Sequence, residues 1–74
     1  MLEAKITFHQ DFNGKEGYTI DIRSNSTENW GLNSFYPLVK REGATIEEEQ
    51  NFVHFSIINR INELIQLGYK ITLI

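Results

Sequence analysis

Nucleophilic catalysis needs a nucleophile, a base within hydrogen-bond reach and a third group that orients the base. The chain has no cysteine, and its serines fall in polar stretches or on the polar side of a helical pattern, without an evident base beside them. Paired carboxylates do acid–base work only where burial splits their pKa values. Glu47, Glu48 and Glu49 are instead consecutive, at a position that reads as the start of a helix. Asp11-Phe12-Asn13-Gly14 opens like a calcium-binding loop. That pattern then requires Asp or Asn followed by Gly, where this chain has Lys15 and Glu16. The two histidines, His9 and His54, are too few for a metal site. The five glycines are scattered singly, so no phosphate-cradling loop is present. Lys40-Arg41 beside Tyr36, with Arg23 as a further base, is the one pairing of bases with an aromatic that a nucleic-acid surface would need. Two adjacent bases after a strand read more simply as a solvated turn. The expectation is a protein that is not an enzyme, carries no cofactor or metal, and does not bind nucleic acid.

The elements that position these residues belong to one small domain, residues 1–74. A chain of this length buries only about 60% of the surface that its unfolded form exposes, so its core is thin. Without cysteine there is no disulfide to help, which leaves oligomerisation or a bound partner. Ten acids against seven bases give a net charge of −3 and a pI near 5.2, the wrong sign for a polyanion binder. A hydrophobic fraction of 41% argues for a folded chain rather than a disordered one. Met1-Leu2-Glu3-Ala4-Lys5 lacks the basic-then-apolar pattern of a signal peptide, and no apolar run approaches the roughly 18 residues of a membrane span. The expected location is therefore the cytoplasm, and Asn25-Ser26-Thr27 reads as a chance match to the glycosylation pattern.

Residues 2–9 alternate, with Leu2, Ala4, Ile6 and Phe8 on one face and Glu3, Lys5, Thr7 and His9 on the other, which is the period of a half-buried strand. Residues 18–23 repeat the pattern. Asn13-Gly14 lies between them as a turn signal, with Gly17 as a second permissive position in a connection expected to exceed two residues. Ser24 to Asn29 reads as a loop. Residues 30–40 read either as a third strand around 35–40 or as an irregular segment, because Pro37 removes a backbone donor. Thr45-Ile46-Glu47-Glu48 has capping-box spacing and opens a helix running to about Leu67, where Gly68 supplies a left-handed stop. Tyr69 to Ile74 reads as a closing strand. The order β-β-(β)-α-β implies an α+β fold: a small antiparallel-rich sheet with one long helix packed across one face.

Along that helix Val53, Ile57, Ile58, Ile61, Leu64 and Ile65 form the stripe expected to pack on the sheet, with His54 at its margin. Phe52 and Phe55 project to the polar side. A helix of about 22 residues outreaches strands of six or seven, by roughly 33 Å to about 20–23 Å, so its first turns should overhang the sheet. Either the 24–44 segment, with Trp30, Phe35 and Tyr36, covers the two phenylalanines, or another chain does. The second reading makes Phe52 and Phe55 the leading protein-binding residues, with Trp30 and Tyr36 next.

The hairpin from Asn13-Gly14 to Tyr18, followed by the Thr45-Ile46-Glu47-Glu48 helix cap, resembles the small antitoxins of the HicB type. That resemblance implies a partly folded RNase-H-like domain and a protein partner; no DNA-binding appendage is recognisable in these residues. In size, acidity and lack of cysteine the chain is also similar to phage and mobile-element proteins that inhibit host defence systems. The leading expectation is a small acidic binding module, a homodimer, that occupies a surface of a larger protein. The alternatives are a HicB-like antitoxin domain, a dimer binding a small ligand in an aromatic-lined pocket made from Trp30, Tyr36 and Phe55, and a subunit of a larger assembly built by strand addition at an open sheet edge.

Overall fold

A computed structural model describes residues 1–38 and 42–73. The chain forms β1 (Glu3–Phe12), β2 (Lys15–Arg23), β3 (Gly31–Pro37), α1 (Ile46–Gln66) and β4 (Lys70–Leu73). The strands lie in the order β3-β2-β1-β4 in one sheet. β1–β2 and β2–β3 are antiparallel, and β1–β4 is parallel. A parallel pair needs a crossover connection, which α1 provides, so the α+β arrangement follows from where the helix falls in the chain.

The first hairpin is tighter and longer than its alternation suggests. Asn13 (φ 53°) and Gly14 (φ 83°) both take positive φ, forming a two-residue turn rather than a longer connection. The Asp11 carboxylate accepts the Gly14 N–H at 2.7 Å. The alternation fails after His9 because of a β-bulge. His9 pairs with Gly17 and Phe12 with Lys15, so Gln10 and Asp11 together oppose Glu16. The extra residue turns Phe12 onto the face of His9, and their rings meet at 5.3 Å.

Residues 31–37 settle the ambiguous segment as an edge strand, with Pro37 at its end where a missing donor costs least. Residues 39 and 40 of the expected span, like Ile74 of the closing strand and the Lys40-Arg41 pair, lie outside the described residues. β3 has a bulge of its own. Ser34 pairs with Ile20 but Leu32 with Asp21, leaving Asn33 as the extra residue. Its side-chain oxygen accepts from Arg60 Nε at 3.0 Å, tying the edge strand to the helix.

α1 starts and stops where its caps place it. Thr45 Oγ1 accepts the Glu48 N–H at 3.1 Å and donates to Glu48 Oε1 at 3.2 Å. The glutamate thus closes on the cap hydroxyl rather than on the cap amide. At the other end Gly68 (φ +94°) lets its own N–H reach Ile65 O at 3.0 Å and the Tyr69 N–H reach Leu64 O at 2.9 Å, the paired bonds of a Schellman stop.

The core between the layers is thin: Ala4, Ile6 and Ile20 from the sheet meet Val53, Ile57 and Leu64 from the helix. Ile58 and Ile65, expected in that stripe, are each 54% exposed. The sheet meets one side of the helix only, and the stripe drawn from hydrophobicity alone is wider than that contact. The expected overhang is absent too. At ten and nine residues, β1 and β2 span about 33 and 30 Å, against about 31 Å for α1. The hairpin therefore reaches alongside the helix's first half, where Tyr18 meets His54 edge to face at 5.8 Å.

Candidate protein-docking surface

Both histidines meet aromatic rings of the fold. On the sheet face away from the helix, His9 Nε2 and Thr19 Oγ1 share a hydrogen bond of 2.8 Å, and His9 also packs on Phe12. That face is more covered than the polar alternation of β1 implies: Thr19 is almost fully buried and the Phe12 and Phe35 rings stack at 4.8 Å. His54 is exposed on α1 rather than at a buried margin. Among the described residues no group of three or more His, Asp or Glu is placed to hold a metal ion. No helix of the structure is long and apolar enough to cross a membrane.

Of the four residues expected to bind protein, the fold brings Phe52 and Phe55 together and disperses the other two. Phe52 and Phe55 lie one turn apart on the outer side of α1, 56% and 67% exposed. The described part of the 24–44 segment does not bury them, because its aromatic side chains are elsewhere. Trp30 lies on the far face of the sheet, under Arg23 at 4.1 Å and Lys5 at 4.7 Å from its ring centroid. Arg23 is held there by Glu3 at 2.8 Å. Phe35 is on that same face, while Tyr36 is half-buried against the edge of the core. Trp30, Tyr36 and Phe55 thus occupy three separate surfaces of one chain.

Two residues of the outer helix surface were missed from the sequence: Ile58 and Ile65. With Phe55 they form an apolar track along about half the length of α1, roughly 15 Å of about 31 Å. Asn51, Phe55, Ile58, Asn62 and Ile65 recur at i, i+4, i+7, i+11 and i+14, and all five are exposed. That is the alternating four-and-three spacing of a helix–helix seam, and it was the available signal. Counting roughly 200 Å² per large side chain, Phe55, Ile58 and Ile65, 67%, 54% and 54% exposed, present on the order of 350 Å². The largest apolar patch on a typical monomer is about 300–600 Å² and is often functional. From Asn51 to Gln66 the charged residues are Arg60 and Glu63. They pair with each other at 2.7 Å, and Arg60 is further drawn toward β3 by Asn33, which leaves the seam itself without formal charge.

No protein-family profile, no curated protein and no solved structure matches the chain.

Proposed function

We propose that this protein works by contact rather than by chemistry, as a small acidic protein-binding module whose docking surface is the outer face of α1. The observation that supports the reading is the exposed, charge-free seam of Phe55, Ile58 and Ile65 on a helix whose opposite side already supplies the core. Depletion of charge together with enrichment in aromatic and large apolar side chains is the compositional mark of an interface centre. A thin domain gains stability when such a face is covered.

The test places a photo-crosslinking phenylalanine analogue at position 55, with position 72 on the exposed part of β4 as control, in the cells that express the protein. Adducts with protein from position 55 and not from 72, mapped by mass spectrometry, are the expected result. Adducts confined to position 72, or none from position 55, would reject the outer helix face as the docking surface.

A further inference from the structure

Resting on that reading of the face, we infer that its partner is a second copy of this chain, with α1 packed along α1 of the copy in antiparallel order.

Three properties of the seam select this occupant. The first is charge. A partner with a charged groove would be matched by countercharges, but the seam has none, whereas a charge-free face meets its own copy without like-charge repulsion. The second is the polar chemistry between the apolar residues. Asn51, Asn59, Asn62 and Gln66 are all exposed on the same side of α1. Amides both donate and accept, so a surface of amides and aliphatic side chains is self-complementary, as a two-fold interface requires of a patch that must fit itself. The third is size. The apolar area that Phe55, Ile58 and Ile65 expose, on the order of 350 Å², is a little under half of the roughly 800 Å² that each partner contributes to a standard interface. The flanking amides and His54 add to it.

The order follows from the first turn. Glu48 lies three residues before Asn51, just beyond the end of the seam and between Glu47 and Glu49. Parallel helices would set Glu48 against Glu48 of the copy and bring both acidic helix starts together. Antiparallel helices place them at opposite ends. The four-and-three spacing sustained over two heptads lets two helices keep the seam in register along its length.

Because the chain has no cysteine, single cysteines report the geometry directly. Under mild oxidation Asn59→Cys, beside the middle of the seam, should form a disulfide with its own copy. Asn51→Cys should crosslink with Gln66→Cys in a mixture and not with itself. Light scattering behind a sizing column should give twice the 8.6 kDa chain mass for the wild type, and Phe55→Glu should return it to 8.6 kDa with an unchanged far-UV spectrum. A wild-type monomer across a hundredfold concentration range overturns self-pairing. So does a dimer that crosslinks through Thr72→Cys but not through Asn59→Cys, which would mean pairing at the β4 edge. Asn51→Cys crosslinking with itself overturns the antiparallel order. If the chain is monomeric while position 55 still captures a different protein, self-pairing fails and the docking surface stands. If position 55 captures nothing, both fall.

Discussion

Gly17 shows how one residue sets a whole face of this sheet. A Cβ there would meet Tyr36 O, Pro37 Cα at 2.8 Å and Phe35 Cε1 at 2.9 Å; two of these are backbone atoms that cannot swing aside. The absent side chain is what lets β3 lie close enough for Phe35 to cover Thr19. Gly17→Ala is expected to cost about 1–3 kcal/mol or more through overpacking, read as a lowered denaturation midpoint. Gly14→Ala meets nothing within 4 Å and carries only the strain of its positive φ, about 1 kcal/mol. Trp30 is the single tryptophan, so its fluorescence reports the cation–aromatic stack without interference. Arg23→Gln removes both the guanidinium over the ring and the ion pair with Glu3. The expected result is a changed Trp30 emission maximum with a loss of about 1 kcal/mol; an unchanged spectrum would show that the stack does not persist in solution.

At the scale of the element, α1 carries two stripes that differ in kind. Val53, Ile57 and Leu64 are buried against the sheet, while Phe55, Ile58 and Ile65 face outward. Leu64→Ala is expected to cost about 2–5 kcal/mol. Ile58→Glu replaces an exposed β-branched residue with a better helix former and should change monomer stability by less than about 0.5 kcal/mol. Urea denaturation of the two variants separates the stripes. The contrast also explains which features were legible in the sequence. The caps of α1 and the turn at Asn13-Gly14 are local hydrogen-bonding problems whose solutions are written in a few adjacent residues. The assignment of Ile58 and Ile65 was not local. An apolar side chain tells that it seeks cover, not which neighbour supplies it, so both were drawn into the core stripe. The bulges at Gln10-Asp11 and Asn33 were hidden for a related reason: each depends on a pairing partner, and each reverses the face of the neighbouring residues in its strand. That reversal moved Phe12 to the far side of the sheet and left Leu32 exposed there. Phe52 and Phe55 were legible as lying off the core stripe because the helical period alone puts Phe55 opposite Val53 and Ile57 and turns Phe52 about 100° away from Val53.

For the whole molecule, the thin core and the bare helix face are one problem. Few side chains are fully buried between the layers, and the surface with most apolar area to hide lies outside them. If α1 pairs with a second α1, folding and association are linked, and the melting temperature rises with protein concentration. Phe55→Glu abolishes that dependence while leaving the dilute-limit melting temperature near that of the wild type. The most direct measurement is the mass of the wild type and Ile58→Glu by light scattering behind a sizing column, with circular dichroism on the same fractions. The expected result is a wild-type dimer and a folded Ile58→Glu monomer. A wild type that stays monomeric at every concentration, or an Ile58→Glu protein that is dimeric or unfolded, would contradict self-association through this face of α1.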